Sequence, residues 1–216
     1  MSNISGIDLN YTYYRSDRMP TSGGATQQVY KFSDTNLGFY SNFESQIDTN
    51  NKIGAGARFQ GNWLKASDFV GPASGAFRTN NRDSLTYDPQ YALHFGYERN
   101  LNSMGGIFAR IGRSFTYPNV DQRVGHTPFN VSHDFKLRTQ TSNDYEIGHS
   151  FKNESLSFHN TFYYMNLRSE IYYDSVDFLN KNLDPSKRYG FESSFNYLVN
   201  SFISLDNSFT FAKAKM

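Results

Sequence analysis

Apolar and polar residues alternate one by one along most of the chain. From Lys52 onward, Ile53, Ala55, Ala57, Phe59, Gly61 and Trp63 share one side, while Lys52, Gly54, Gly56, Arg58, Gln60 and Asn62 share the other. The same split returns at Tyr189, Phe191, Phe195, Tyr197 and Val199 against Gly190, Glu192, Ser194 and Asn196. Successive side chains of a strand face opposite sides of its sheet, so this period of two predicts one apolar and one wet face. The pattern predicts nine strands, near residues 4–15, 35–47, 52–67, 88–99, 105–115, 141–151, 155–173, 187–198 and 202–214. They exceed the roughly 5–6 residues usual for globular strands and suit the roughly 9–11 tilted residues that cross a bilayer.

The predicted connections alternate in length. Tight turns fall at 48–51, 100–104, 152–154 and 199–201, and long loops at 16–34, 68–87, 116–140 and 174–186. Short turns at one end and long loops at the other predict an all-β, partial antiparallel transmembrane β-barrel, with periplasmic turns and extracellular loops. A soluble or surface-attached β-sandwich that binds glycans through exposed aromatics is the rival reading. Its connections would not sort so regularly.

Composition sharpens this picture. The chain has 216 residues, 38% of them hydrophobic and 17% aromatic, with 20 Phe and 16 Tyr. Its mean hydropathy is -0.65. That is few aliphatics for a soluble core and many aromatics for two interfacial girdles. Twenty-one basic and 20 acidic residues, evenly spread, leave a net charge of +1 and give no electrostatic case for nucleic acid. Without cysteine, disulfides, thiolate metal sites and thiol nucleophiles are excluded. No run approaches the roughly 18 apolar residues of a membrane-spanning helix. Residues 1–10 do not read as a signal peptide. An exported barrel without an export signal, with an odd strand count and strand pattern at both termini, is expected to be an internal piece of a longer barrel.

Candidate chemistry is sparse. The wet face carries Glu44, Arg58, Glu98, Arg110, Glu146, Glu192 and Asp206. They read either as a hydrated wall with cross-strand ion pairs or as contacts to a plug or a passing ligand. His94, His149 and His159 are assigned to the wet faces of strands, and His126 and His133 share the loop 116–140. Two loop imidazoles could touch a metal chelate, but their spacing matches no metal signature. Aromatics in or beside the long connections, among them Phe32, Tyr87, Tyr117 and Phe129, read as loop packing or as stacking surfaces for a planar ligand. Neither a nucleophile elbow nor a dinucleotide fingerprint is present: Ser74 in 71–75 is one place late, and Gly54-Ala55-Gly56 lies inside a strand. No enzyme, resident metal or cofactor is expected, and an outer-membrane lipase ranks behind both readings.

Four segments carry a resemblance. Phe108-Ala109-Arg110-Ile111-Gly112-Arg113-Ser114-Phe115-Thr116-Tyr117-Pro118-Asn119 resembles a strand of TonB-dependent receptors that ends in serine–phenylalanine–x–x–proline. Residues 137–148 resemble the family's leucine–lysine–proline–glutamate … tyrosine–glutamate–x–glycine segment, with Thr139 and Gln140 in place of proline and glutamate. Phe162-Tyr163-Tyr164-Met165 … Glu170-Ile171 and Arg188-Tyr189-Gly190-Phe191-Glu192 resemble two further strands, in the same order. Together they span about residues 105–195. The resemblance implies a plugged barrel of about 22 strands in the Gram-negative outer membrane, in contact with its lipid, that imports ferric siderophores or similar nutrients. It further implies that the TonB complex engages an N-terminal plug region, absent here together with the ends of the barrel. Residues 1–216 would then be less than half of the barrel domain. Loops 68–87 and 116–140 would capture the iron chelate, with Arg110, Arg113, Glu146, Tyr117, His126 and His133 as ligand contacts, the two arginines and Glu146 facing the lumen.

Overall fold

The computed structural model describes residues 1–18, 26–72, 80–126, 131–133, 137–176 and 179–216. Nine long strands form one antiparallel sheet, each beside its neighbour in sequence. They are β1 (Ser2–Arg18), β2 (Thr26–Gln46), β3 (Asn51–Pro72), β4 (Asn80–Asn100), β5 (Gly106–Thr116), β8 (Gln140–Lys152), β9 (Leu156–Arg168), β12 (Ser186–Asn200) and β13 (Ile203–Lys215). Between β5 and β8 lie a short helix α1 (Val120–Arg123) and a ribbon of β6 (Val124–His126) and β7 (Val131–His133). Between β9 and β12 lies a hairpin of β10 (Ile171–Asp174) and β11 (Leu179–Asn182).

Register fixes the two faces. Asp8, Gly38, Arg58, His94, Arg110, Glu146, Tyr163, Glu192 and Thr210 belong to the polar face. Ile7, Phe39, Phe59, Leu93, Ile147, Phe162 and Phe211 belong to the apolar face, and they are exposed. Among the described residues no second sheet packs on that face, so the sandwich expectation fails. Aromatic pairs run along the apolar face, Trp63 on Tyr87 with ring centres 4.9 Å apart and Phe162 on Phe191 at 4.6 Å.

A short polar side chain closes each tight turn. Asp48 accepts the main-chain N–H of Asn50 at 2.8 Å and of Asn51 at 2.9 Å. Asn100 accepts that of Asn102 at 2.8 Å, Asn153 that of Leu156 at 2.7 Å, and Asn200 that of Phe202 at 2.9 Å. An Asx side chain that binds the main chain two or three residues on is the local code for a reversal. The second turn also needs Gly105, whose φ of 84° is costly for any residue with a Cβ.

The structure corrects several sequence expectations. Most of 16–34 and 68–87 is strand rather than loop, since β1 and β2 pair up to Arg18 and Gln28, and β3 and β4 up to Val70 and Asn80. Backbone pairing continues above the apolar band, where the alternation reverses: Phe32, Leu64 and Ala66, at even positions on the wet side, are buried, while the exposed Lys31 and Lys65 take the other side. The strand expected over 155–173 ends at Arg168, because Ser169 turns left-handed with φ 55°. His149 lies on the apolar face, in register with Ile107 and Asn160, where its Nε2 sits 2.8 Å from the Met104 carbonyl beside the tight turns.

Candidate lumenal site

A hydrogen-bonded ladder crosses the polar face of β1, β2 and β3. Arg58 Nη1 lies 2.7 Å from Asp8 Oδ2, and its Nε donates to Gln60 Oε1 at 2.8 Å. Gln60 Nε2 donates to Asn36 Oδ1 at 3.1 Å, and Asn62 Nδ2 donates to the same oxygen at 3.0 Å and to Asp34. Residues at alternate positions of paired strands face the same side, so three strands with polar even-numbered positions make one continuous network. These bonds fix the donors and acceptors around a concave volume of about 250 Å³ lined by Asp8, Asn10, Asn36, Arg58, Gln60 and Tyr117.

The connection after β5 folds back onto this wall. The Tyr117 hydroxyl lies 2.8 Å from the Asp88 carbonyl oxygen and 3.0 Å from that of Gln60. Burial raises the Tyr117 pKa above 10.0, and the negative charges of Asp88 and Asp34 add to the effect. Asn119 and Gln122 cap α1 reciprocally: the Gln122 N–H donates to Asn119 Oδ1 at 2.8 Å, and the Asn119 N–H donates to Gln122 Oε1 at 2.9 Å. Val120 of that helix packs with Tyr14 against Phe32, Leu64 and Ala66, a small apolar cluster above the polar ladder. Thr139, at the end of the connection, donates to the Asp88 carboxylate.

The second long connection is tied to the first. Asn180 Nδ2 donates to the Gln122 carbonyl at 3.0 Å. Asn182 Oδ1 accepts the Arg138 N–H at 2.8 Å, while its Nδ2 donates to the carbonyls of Ser169 at 2.8 Å and Arg138 at 3.0 Å. The Glu170 carboxylate meets Arg188 at the base of the hairpin. The two connections thus form one joined cover over the wall.

Arg110 and Glu146 stand in direct cross-strand register on the polar face, 3.9 Å apart. Arg110 also lies 4.7 Å from the ring centre of Phe108. Arg113 departs from its expected lumenal position. It shares the apolar face with Ile111 and Leu93, because a run of odd positions kept a charge at the end of the β4–β5 ladder. Its guanidinium lies 3.9 Å over the Tyr91 ring and donates to the Tyr91 carbonyl, a main-chain oxygen beyond the last β4–β5 pair. A long cationic side chain on an apolar surface keeps its head at a polar partner in this way. Tyr117 lies at the wall. The backbones of His126 and His133 pair with Val131 and Val124 in the β6–β7 ribbon, and their side chains lie outside the described residues, as does Phe129. No group of three or more potential metal ligands occurs among the described residues. Asp88 and Asn182 were not among the expected site residues, and Asn182 ends the four-residue strand β11, too short for a periodicity to single it out.

A profile of the family described as TonB dependent receptor-like, beta-barrel, matches residues 2–215. No curated protein matches the chain. The ferric yersiniabactin uptake receptor FyuA of Yersinia pestis superposes with a TM-score of 0.69 at 14% identity, over 97% of this chain and 32% of its own. The copper transporter OprC superposes with a TM-score of 0.65 at 13% identity, over 98% of this chain and 38% of its own. The ferric-catecholate import receptor Fiu of E. coli K12 gives 0.61 at 12% identity, over 97% of this chain and 35% of its own. The chain thus spans about a third of the length of these structures, which share its fold. With the family match over nearly every residue and the single sequential sheet, the chain belongs to the TonB-dependent receptor β-barrel family of the Gram-negative outer membrane.

Proposed function

We propose that this chain is a section of the barrel of an outer-membrane import receptor for a ferric siderophore or similar scarce nutrient, energised through TonB in the whole protein. The observation that carries the reading is the return of the long connection onto the polar wall through Tyr117 and Val120. That return sets a preorganised polar concavity under a joined pair of loops, the arrangement expected of a mouth that captures a bulky polar solute. The names of FyuA and Fiu, receptors for ferric chelates, favour an iron chelate as cargo.

Among the described residues the outer edges of β1 and β13 have no partner strand in the sheet. Bare edges are not tolerated in lipid, which supports completion of the barrel by strands outside residues 1–216. A plug and a TonB-contacting segment are placed in that remainder, so the isolated chain is expected to give no energised uptake in liposomes.

The test is deletion of the whole gene, followed by uptake of radiolabelled iron from a panel of chelates in iron-poor medium. Uptake of at least one chelate is expected to fall and to depend on TonB. Unchanged uptake across the panel, or loss that persists without TonB, refutes the assignment.

A further inference from the structure

The hydrogen bonds of the lumenal wall have a fixed direction. A guanidinium has donors only, so Gln60 must turn its Oε1 to Arg58 Nε, 2.8 Å away, and its Nε2 to Asn36. Asn36 Oδ1 accepts from Gln60 and Asn62, so the Asn36 NH2 group points away from both. Asn10, directly opposite Asn36, accepts the Thr12 hydroxyl with its own Oδ1 at 3.1 Å, which leaves its NH2 group as a donor as well. Among the described residues neither amide nitrogen has a partner, and both side chains line the concavity of about 250 Å³.

The one base among the described residues that line this concavity is neutralised within the wall. Arg58 reaches over β2 to Asp8 of β1, with Nη1 2.7 Å from Oδ2. Gly38 makes the crossing possible, since a Cβ there would lie 2.9 Å from Arg58 Nη2 and 3.3 Å from its Cζ. Asp88 ends the cross-strand row of Asn10, Asn36 and Asn62, and Asp34 stands one row above. Toward the tight turns a larger concavity of about 660 Å³ shares Asp8 and Arg58 and adds Tyr40, Asn42, His94, Ser114 and Asp144. Arg113 borders it, but its guanidinium lies over Tyr91 on the other face.

Uncharged N–H donors in surroundings of net negative charge select the charge of a solute. They bond the carbonyl and hydroxyl oxygens of a neutral group. An anion would find no unpaired cation among the described residues of the site. It would also face Asp34 and Asp88 in a place partly shielded from water, where charges act more strongly than in bulk. The raised Tyr117 pKa agrees: burial leads, and Asp88 and Asp34 add to it. We propose, on the import reading above, that this wall sets the charge class of the cargo. Asn10 and Asn36 hold carbonyl or hydroxyl oxygens of an uncharged ferric chelate, such as a trihydroxamate, and the surrounding acids turn away an anionic one, such as a tris-catecholate.

The test uses the whole receptor that carries this chain, in detergent micelles, titrated with a neutral ferric trihydroxamate and with a triply anionic ferric tris-catecholate. The neutral chelate is expected to bind more tightly. Asn36→Ala is expected to weaken it about fivefold, the effect of one hydrogen bond. Asp8→Asn removes a negative charge and leaves Arg58 uncompensated, and is expected to tighten the anionic chelate about tenfold relative to the neutral one. Equal or tighter binding of the anionic chelate by the unaltered receptor overturns the proposal. So does an unchanged ratio in Asp8→Asn, or an unchanged affinity for the neutral chelate in Asn36→Ala. Binding of neither chelate also overturns it, while the import reading stands if deletion of the gene still lowers TonB-dependent uptake of another member of the panel. Should Asp8→Asn fail to insert, the two chelates on the unaltered receptor and on Asn36→Ala decide.

Discussion

The Tyr117 hydroxyl donates across a seam to the main-chain oxygen of Asp88, 2.8 Å away, at a height where β4 and β5 no longer pair. The ladder between those strands ends at Leu93 and Arg113, and above it, among the described residues, β4 pairs with β3 alone. Pro89, which lacks an N–H, is tolerated in this stretch because one edge of the strand is free. Arg113 bonds to the Tyr91 carbonyl beyond the last β4–β5 pair, while the Tyr117 hydroxyl reaches across β4 to lie near the carbonyls of both Asp88 and Gln60 of β3. The opening in the sheet is what lets the β5–β8 connection dock.

Replacing Tyr117 by Phe keeps the ring and removes the bond. Loop docking is expected to weaken by about 1 kcal/mol, read as faster protease cleavage within 117–139. The pH dependence has a defined sign. The docked pKa lies above 10.0, so the contribution is fully present below that value and falls as pH rises past it, where the undocked hydroxyl ionises first. Wild-type cleavage should therefore accelerate as pH rises past the ordinary tyrosine value of 10.0. Y117F should lose that acceleration; an identical alkaline rise in the variant would assign it to other groups.

Asn182 holds three main-chain groups with one amide, on Arg138 and Ser169. Asn182→Ala strands the Arg138 N–H and two carbonyls at the junction of the two covers. A local loss of about 0.5–1.5 kcal/mol is expected, the net value of such bonds, since water reaches the exposed Arg138 groups. Hydrogen exchange should quicken at 171–182 while β8 and β9 stay protected. Uniform loss of protection through the sheet would contradict a local clip.

The facing of Arg110 and Glu146 was legible from the alternation alone; their pairing needed the register of β5 on β8. Their energetic weight is small. Both side chains are well exposed, at 61% and 40%, and the atoms are 3.9 Å apart. A double-mutant cycle with R110A and E146A in the whole receptor should give a coupling below about 1 kcal/mol to stability. If either residue also contacts the cargo, its single variant lowers uptake while stability holds. A coupling well above that bound would show a desolvated pair in the closed barrel.

Nine strands and most facings could be read from the sequence because a half-buried strand writes its two environments into alternate positions. The signal failed where the two environments exchanged faces. Above the apolar band the outer stretches of β1 to β4 continue by backbone pairing, with Phe32, Leu64 and Ala66 buried on the wet side and Lys31 and Lys65 exposed on the other. Arg113 and His149 misled in another way. Each is polar on the apolar face, but both stand at the margins, where a guanidinium reaches the Tyr91 carbonyl and an imidazole the Met104 carbonyl. The covers were least legible, since Asn182 and Tyr117 work through partners dozens of residues away in sequence.

The first tight turn is a further test, at acid pH. The Asp48 carboxylate accepts the N–H groups of Asn50 and Asn51 and both its oxygens take the Asn51 side-chain amide, at 2.8 and 2.7 Å. The Asn50 bond foremost, then the Asn51 amide, holds its pKa below the ordinary 3.8. A carboxyl with a depressed folded pKa stabilises the turn above the ordinary value and loses that contribution as pH falls through the folded one. Amide exchange at Asn50 and Asn51, referenced to intrinsic rates, should therefore accelerate as pH drops below 3.8, with the β2–β3 ladder still closed. In Asp48→Ala the same amides should exchange fast already at neutral pH and show no acid transition. Protection in the alanine variant equal to wild type would mean that strand pairing alone closes the turn.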